Sequence, residues 1–277
     1  MLFESTKDVL DWYQKGDRVI TKSFIDGVAW NQIKDHPIDA KFFPVLLYMR
    51  DIETMTQRYF DELMKSATGK EPVIRQFMEQ WVTEEPVHGQ LLSRFLEEVG
   101  CSQEKDWKQK GFDGLTFSYR LKSKIQEWIS IPFGKNFTSV HMSFGAIHEY
   151  STLTGYRRLW ELAGHPILEY ILKAIAREEA KHAMFYWSVA HINLKDSPFR
   201  QQLARYLIEK FWKPVGEGVK TEAESNVVIR TLFSGKDGVE QMRTYVNNRI
   251  TQLPGFETLT RVTDRIASVA APQTQSS

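Results

Sequence analysis

Apolar residues recur at intervals of three to five positions along most of the chain. The stripe in residues 43–66 is formed by Leu47, Ile52, Met55, Tyr59 and Leu63. This spacing is typical of one face of a helix. No run of alternating apolar and polar residues indicates a strand, so the pattern predicts an all-α protein.

Glycine and proline separate the helical patterns from one another. Pro44 and Pro166 suit the first turn of a helix, and Gly100 suits a left-handed C-terminal cap. The predicted helices cover about residues 7–14, 43–66, 72–99, 116–129, 137–163, 166–192, 197–214 and 238–252. The longer ones would measure about 30–40 Å. Long helices with few breaks predict a four-helix bundle core with additional flanking helices.

Composition and charge favour a single globular domain. No low-complexity segment divides the 277 residues, so we predict one domain over 1–277, with its core in about 43–195 and a disordered tail at about 267–277. Hydrophobic residues make up 42% and charged residues 26% of the chain, which is ordinary for a globular protein. The net charge of +1 gives no general reason to bind nucleic acid or a membrane surface.

Cysteine content and hydropathy bear on the compartment. The single cysteine, Cys101, excludes an internal disulfide and a thiolate metal cluster. A reduced, cytoplasmic location is therefore expected. No segment holds about 18 consecutive uncharged apolar residues, so no membrane span is expected.

One short motif occurs twice. The segments WVTEEPVHGQLL and IAREEAKHAMFY both contain Glu-Glu-x-x-His, at an offset of 94 residues (179 − 85). Residues i and i+3 of a helix share a face, so Glu85 points with His88 and Glu179 with His182. A carboxylate and an imidazole at this spacing can hold one metal ion. One match could be accidental in a chain with 7 histidines, but two matches with the same preceding glutamate indicate a site.

A further glutamate precedes each motif at nearly the same distance. Glu53 lies 32 residues before Glu85 (85 − 53), and Glu149 lies 30 residues before Glu179 (179 − 149). Di-iron bundles use a Glu from each of two helices and a Glu-x-x-His from each of the other two. The predicted metal ligands are therefore Glu53, Glu85, His88, Glu149, Glu179 and His182. Oxygen and imidazole donors suit iron or manganese, so we predict two iron ions (Fe2+), with a mixed manganese–iron pair as an alternative.

The first glutamate of each motif, Glu84 or Glu178, is turned about 100° from its neighbour on a helix. We hypothesise that each accepts the N–H of the histidine in the opposite motif and so fixes its tautomer. The alternative is that both face solvent. Pro86 lies inside the first motif, where it removes a backbone hydrogen bond, so a local bend of that helix is predicted.

Four segments resemble the soluble acyl-carrier-protein desaturases of the stearoyl type, which belong to the ferritin-like di-iron class. WVTEEPVHGQLLSRFL is similar to that family's W-T-x-E-E-x-x-H-G-x-L-L stretch, and IAREEAKH is similar to its I-A-x-D-E-x-R-H segment, with Glu178 in place of Asp. HEYSTLTG is similar to its Q-E-R-A-T segment, and FFPVLLYMRDIETMTQRY resembles the helix that supplies the first carboxylate. The resemblance covers about residues 40–195.

The resemblance implies roles for particular residues. The same six side chains would be the iron ligands. Thr152 takes the place of a threonine proposed to assist oxygen activation, and a helix threonine bonded to its own backbone is the alternative. The family also has an N-terminal tryptophan that is hydrogen-bonded to the site for electron delivery. Trp12 is the candidate for that role here, and Trp30 competes with it.

The implied activity is O2-dependent desaturation of a fatty acyl chain on acyl carrier protein. The resemblance also implies a ferredoxin-type electron donor and a homodimer. Acyl carrier protein is acidic, so a basic docking patch is expected. The candidate patches are Arg120, Lys122 and Lys124, or Arg157 and Arg158, although a solvated helix face also explains either group.

Other di-iron activities stay open as alternatives. Segments 100–140 and 196–277 lie outside the resemblance, so chain length and bond position are not predicted. A polar pocket would favour a di-iron oxygenase that hydroxylates, N-oxidises or cleaves a small metabolite. Iron storage and a radical-bearing ribonucleotide reductase subunit fit the motif pattern less well, and a purely structural bundle would bind no metal.

Overall fold

The computed structural model describes residues 3–101 and 131–271. Its α-helices are α1 (Thr6–Lys15), α2 (Lys22–Gly27), α3 (Phe43–Thr54), α4 (Thr56–Lys65), α5 (Pro72–Glu98), α6 (Thr138–Ala163), α7 (Pro166–Leu194), α8 (Pro198–Phe211), α9 (Glu222–Phe233), α10 (Gly235–Met242) and α11 (Arg261–Ala270). Short 3-10 turns lie at Trp30–Asp35, Ala40–Phe42, Thr68–Lys70 and Ile131–Phe137. Helix α10 continues through a π turn (Arg243–Asn247) to Ile250.

The all-α class predicted from the sequence is confirmed. Within residues 3–101 and 131–271 no strand forms, and the one strand-like feature there is an isolated bridge between Glu217 and Lys220. The helix predicted at 116–129 lies outside the described residues.

Among the described helices, α3, α5, α6 and α7 form the core of the bundle. Helix α3 packs along α5, and α6 packs along α7. Contacts between α5 and α7 join the two pairs, and α1 lies against both of these helices. Their inward faces bury apolar side chains such as Leu46, Phe77, Leu92, Ile147 and Phe185. Each half of the sequence repeat therefore supplies one helix pair.

Two glycines allow the paired helices to approach closely. A Cβ atom at Gly89 of α5 would lie 2.6 Å from Oγ1 of Thr54 on α3. A Cβ atom at Gly145 of α6 would lie 2.8 Å from Cγ of Tyr186 on α7. Both distances are too short for a side chain, so only glycine permits this helix spacing. Each close approach lies within about one turn of a predicted metal ligand.

The helix predicted across Met55 is interrupted, which corrects the sequence analysis. Helix α3 ends at Thr54 because the N–H of Met55 donates to the carbonyl oxygen of Ile52, three residues back instead of four. The hydroxyl of Thr56 donates to the carbonyl oxygen of Glu53. Threonine side chains compete with helix hydrogen bonds in this way, and hydrophobic spacing carries no sign of it.

Helix α5 continues as one element through Pro86. Proline lacks the N–H that the carbonyl oxygen one turn earlier would accept, but the turns on either side keep the helix in register. Glu85 and His88 therefore retain the i, i+3 relation that the sequence predicts for them.

The C-terminal third contains two helices, α9 and α11, that hydrophobic spacing did not predict. Helix α9 begins with a capping box in which Thr221 and Glu224 exchange hydrogen bonds, a sequence signal that identifies a helix start. Helix α11 extends to Ala270, which is buried. The disorder expected from about residue 267 is therefore wrong as far as Ala270, because this turn packs its apolar side on the core. Residues 272–277 lie outside the described residues.

Candidate metal centre

The six predicted ligands lie on the four core helices and are all buried. Helix α3 carries Glu53, α5 carries Glu85 and His88, α6 carries Glu149, and α7 carries Glu179 and His182. Glu179 and both histidines are 0% exposed, and the other three glutamates are 3–8% exposed. Carboxylates at such depth require a compensating charge or a proton.

The donor atoms form two overlapping groups. Atoms of one group lie within 4.8 Å of one another and come from Glu53, Glu85, His88 and Glu179; those of the other come from Glu85, Glu149, Glu179 and His182. Two of the carboxylates, on Glu85 and Glu179, belong to both groups, and the remaining two belong to one group each. This arrangement can hold two metal ions that share the common carboxylates.

Both histidines direct Nδ1 into the shared space. Nδ1 of His88 lies 3.0 Å from Oε1 of Glu179 and 3.6 Å from Oε2 of Glu53. Nδ1 of His182 lies 3.0 Å from Oε1 of Glu85 and 3.4 Å from Oε2 of Glu179. Each imidazole therefore faces two carboxylates across the space where an ion would sit.

Most of these inward atoms lack a hydrogen-bond partner. Among the described residues, the buried atoms without one include Nδ1 of both histidines, Oε2 of Glu53, Oε1 of Glu85 and both carboxylate oxygens of Glu179. Each unpartnered buried polar atom costs about 1–3 kcal/mol, so their concentration at one place indicates that another group completes the site. Oxygen and imidazole donors fit iron or manganese, and two divalent ions would balance the four carboxylates.

Protein groups alone do not balance the charge of this cluster. Burial, followed by repulsion from Glu179 and Glu53, raises the pKa of Glu85 well above its usual value. Burial, followed by repulsion from Glu179 and Glu85, raises the pKa of Glu149 in the same way. Burial opposes ionisation of Glu179 too, but the close approach of His182 and His88 lowers its pKa. Metal ions would take the place of the protons that Glu85 and Glu149 otherwise hold.

The other glutamate of each motif pairs with the histidine of the opposite motif. Oε2 of Glu178 lies 3.0 Å from Nε2 of His88, and Oε2 of Glu84 lies 2.8 Å from Nε2 of His182. An ionised carboxylate only accepts hydrogen bonds, so Nε2 of each ring carries the hydrogen and Nδ1 is available to a metal. Glu84 is 4% and Glu178 is 2% exposed, so the solvent-facing alternative is wrong.

Three donors hold Glu84. The hydroxyl of Tyr13 donates to Oε2 at 2.6 Å, the amide of Gln80 donates to Oε1 at 2.9 Å, and His182 is the third donor. Burial alone would raise the pKa of Glu84, but the hydrogen bond and charge of His182, followed by the bonds from Tyr13 and Gln80, lower it to about 2. Glu84 is therefore ionised at neutral pH.

Glu178 is held mainly by the chain near the N-terminus. The backbone N–H groups of Val19 and Ile20 both donate to its Oε1 at 2.9 Å. Arg18 lies 3.7 Å from Oε2 of Glu178 and 3.6 Å from Oε1 of Glu84. Burial raises the pKa of a carboxyl, but these donors and the histidine partner outweigh it and lower the pKa of Glu178.

Tyr13, and not Trp12, is the aromatic residue of α1 whose side chain hydrogen-bonds to the site. Trp12 is half-buried, with its ring 5.7 Å from the ring of Phe3. The indole N–H of Trp30 donates to a backbone oxygen five residues earlier. Sequence reasoning missed Tyr13 because it is one of 10 tyrosines and its partner, Glu84, lies 71 residues away.

Sequence reasoning also missed Tyr156 on α6. This side chain is completely buried, and its hydroxyl donates to Oε1 of Glu53 in a short hydrogen bond. Glu53 thus uses one oxygen for Tyr156 and leaves Oε2 for the metal space. The two residues are 103 positions apart, so no local pattern connects them.

An apolar cavity of about 80 Å³ borders the metal centre at Glu53. Helices α3 and α6 form part of its wall. The C-terminal segment supplies much of the remainder, including Trp212, Val215, Ile229, Phe233 and Ile266. Helices α9 and α11, which the sequence analysis did not identify, therefore shape the space next to the candidate ligands.

Thr152 lines this cavity together with Glu53. It lies three residues after Glu149, on the same helix face. Ser151 and Thr154 donate their hydroxyl hydrogens to carbonyl oxygens one turn earlier in α6, whereas Thr152 makes no such bond within the described part of the chain. Its hydroxyl is therefore available to a molecule in the cavity.

A family model with the description "Fatty acid desaturase" matches residues 48–211, which is more than half of the chain. The chain belongs to the fatty acid desaturase family. No curated protein and no solved structure matches it. The match includes Thr152 and all six candidate ligands, whereas Tyr13, Arg18 and the C-terminal wall of the cavity lie outside it.

Two further expectations concern the surface of this desaturase-family chain. No helix in residues 3–101 or 131–271 combines the length and the apolar character needed to cross a membrane.

The first candidate basic patch, Arg120, Lys122 and Lys124, lies outside the described residues. In the second patch, Arg158 donates to a backbone oxygen of α9 and only 11% of its side chain is exposed, while Arg157 lies over the ring of Tyr245 at 4.2 Å. These two arginines therefore serve contacts within the chain.

Proposed function

We propose that this chain is an O2-dependent di-iron desaturase that introduces a double bond into a fatty acyl chain carried on acyl carrier protein. The observation that carries the proposal is the pair of overlapping buried donor groups, which share Glu85 and Glu179 and border an apolar cavity at Glu53. Membership of the fatty acid desaturase family supports the acyl substrate. The motif resemblance supports the carrier protein, a ferredoxin-type electron donor and a homodimer.

The proposed ligands would hold one ion on each histidine. The His88 ion would be completed by Glu53, and the His182 ion by Glu149, with Glu85 and Glu179 common to both. When bound, two irons would activate O2 and supply the oxidising power of the reaction. A manganese–iron pair would fit the same donors.

The reaction balance defines what the protein must supply. R–CH2–CH2–R′, O2, two electrons and two protons give R–CH=CH–R′ and two waters. The electrons come from the external donor. The chain's own residues hold the acyl chain in a dry space, where water would otherwise compete for the oxidant. Thr152 contributes a hydroxyl, unbonded within residues 3–101 and 131–271, at the cavity wall beside the metal centre, and Tyr156 fixes the orientation of Glu53.

The cavity lining favours an acyl chain over a small polar metabolite. Its polar members in the described chain are few, chiefly Glu53, Ser151, Thr152 and Ser225, and the remaining wall is apolar or aromatic. A site for a polar metabolite needs several placed hydrogen-bonding groups to orient the substrate. Iron storage needs no apolar cavity beside the metals.

The test begins with anaerobic loading of the purified protein with Fe2+. O2 and a reducing system are then added with acyl carrier proteins bearing chains of graded length, and in parallel with the free fatty acids. Mass spectrometry should show the loss of two hydrogen atoms from a carrier-bound chain. A product that gains oxygen would establish the oxygenase alternative, and an iron-loaded protein that consumes O2 without altering any chain would contradict the proposal.

Substitutions at the ligands provide a second test. Glu85→Ala and His182→Ala should lose iron and turnover together. His191→Ala is the matched control, because His191 lies on the same helix as His182 but outside the donor groups. Stoichiometric iron in either ligand variant would contradict the assignment.

A further inference from the structure

The segment of residues 13–20 is here called the N-terminal strap. It contacts the carboxylates of Glu84 and Glu178, which hold the two histidines from outside the donor groups and are here called the outer carboxylates. The hydroxyl of Tyr13 donates to Glu84, and two backbone N–H groups of the strap donate to Glu178. Lys181 of α7 donates to the backbone oxygen of Asp17, which ties the strap to a core helix. The strap precedes the segment matched by the desaturase family model.

Arg18 is the strap residue that the two halves of the centre share. The pair of Glu84 and His182 and the pair of Glu178 and His88 cross between α5 and α7 and have no member in common. Arg18 approaches a carboxylate oxygen of each pair, at 3.6 Å and 3.7 Å. These are ion-pair distances, so the positive charge of Arg18 attracts both carboxylates at once.

The location of Arg18 suits a positioning role. Its side chain is 38% exposed, whereas the side chains of Glu84 and Glu178 are 5% and 3% exposed. A small polar cavity of about 10 Å³ separates the strap from the bundle and is bordered by these three residues and Tyr13. Arg18 therefore lies between solvent and the buried carboxylates of Glu84 and Glu178, where its positive charge offsets the repulsion between them.

The outer carboxylates control the histidines directly. Each carboxylate accepts the Nε2–H of one ring, so a carboxylate that turns away allows the ring to rotate and moves Nδ1 from the metal position. Partners of this kind typically contribute 10–100-fold to metal affinity.

We propose that Arg18 is a positioning residue for both metal ions, and that the strap thereby sets how tightly the centre retains iron. Arg18 holds Glu84 and Glu178 in place together, and each of them holds one histidine. Tyr13 acts on one half only, through Glu84 and His182. This inference rests on the proposed di-iron centre.

The test measures the retention of iron rather than catalysis. The full chain is loaded with Fe2+, and release of iron to an excess of a ferrous chelator is followed by absorbance, with Mössbauer spectra of the loaded protein before release. Arg18→Gln should speed the release of both ions by about tenfold and alter the signals of both. Arg18→Lys, which keeps the charge, should restore most of the retention. Tyr13→Phe should speed the release of one ion only.

Arg205→Gln is the matched control. Arg205 is also partly exposed (32%) and pairs with a glutamate, Glu209, at 2.9 Å, but it lies on α8 and contacts no residue of the donor groups. The inference is overturned if Arg18→Gln releases iron at the wild-type rate, or if Arg205→Gln accelerates release equally. Failure of the proposed function alone is distinguishable, since it would appear as a wild-type chain that retains iron and desaturates nothing while the strap variants still change its release. A wild-type chain that retains no iron would overturn both.

Discussion

Oε1 of Glu179 lies 3.0 Å from Nδ1 of His88, a residue of the other Glu-x-x-His motif on a different core helix. The second oxygen of the same carboxylate lies 3.4 Å from Nδ1 of His182. One side chain thus spans both donor groups, whereas Glu149 belongs to one group. The six candidate ligands are therefore not equivalent, and substitution can separate their roles.

Glu179→Ala should abolish binding of both ions, because it removes a carboxylate from each donor group. Glu149→Ala should lose the ion on His182 and retain the ion on His88, because Glu149 does not belong to the donor group that contains His88. Iron per chain after anaerobic loading and desalting, measured by elemental analysis, distinguishes the two results. Equal iron content in the two variants would contradict the shared position of Glu179.

Thr152→Val should lower turnover by roughly 10²-fold and leave iron content unchanged, since it removes from the cavity wall a hydroxyl that lacks a partner among the described residues, and it replaces no metal donor. Thr152→Ser should retain most activity. Thr154→Val is the matched control, because Thr154 lies on the same helix but bonds to its own backbone. Loss of activity in both valine variants would mean that helix α6 tolerates neither change and that Thr152 has no special role.

Gly216→Ala should lower the free energy of unfolding, measured by urea denaturation, by about 2–5 kcal/mol. Gly216 has φ of +87°, and a Cβ there would lie 2.8 Å from both Cγ1 of Ile52 and the hydroxyl oxygen of Tyr48. The left-handed backbone costs about 1–2 kcal/mol, and overpacking adds about 1–3 kcal/mol.

Gly235→Ala isolates the backbone contribution. Gly235 has φ of +81°, and its added Cβ would meet nothing within 4 Å. This variant should lose only about 1–2 kcal/mol in the same urea unfolding experiment. Equal losses of unfolding free energy in the two variants would show that the close contacts of Gly216 with Ile52 and Tyr48 of α3 do not affect stability.

Acid should destabilise the protein partly through His141. Burial lowers the pKa of His141 to about 4, below the value of about 6.5 in an unfolded chain. The resulting stability is fully present above about pH 6.5 and is lost as the pH falls towards 4, because the unfolded chain binds a proton that the folded chain does not. Between about pH 7 and pH 5, the free energy of unfolding of the wild type should fall by on the order of 1 kcal/mol more than that of His141→Gln. Parallel losses in the two proteins would contradict this contribution.

Residue spacing within and between helices was enough to predict the candidate metal ligands. The i, i+3 relation pairs Glu85 with His88 and Glu179 with His182 in any helix, independently of how the helices pack. The repeated interval to Glu53 added the first carboxylate in the same way. For this reason the sequence analysis named six residues that the structure brings into two touching groups.

The missing parts of the site depend on contacts between distant segments. Tyr13 and Glu84 are 71 residues apart, and Tyr156 and Glu53 are 103 apart. No periodicity links such pairs, since each forms only after the helices have packed. The break after Thr54 was missed for a different reason, because it depends on side-chain hydrogen bonds that leave the apolar stripe intact.

Helices α3 and α6 contribute both metal donors and part of the apolar cavity wall, but much of the rest of that wall comes from a separate stretch of the chain. The donors end at His182, whereas Trp212 and the residues after it close much of the cavity. With an acyl chain in that cavity, evolution can alter substrate preference in the C-terminal stretch while the oxidation chemistry is inherited unchanged. Chimaeras that exchange this stretch between relatives would accordingly transfer chain-length preference without requiring any new iron ligand.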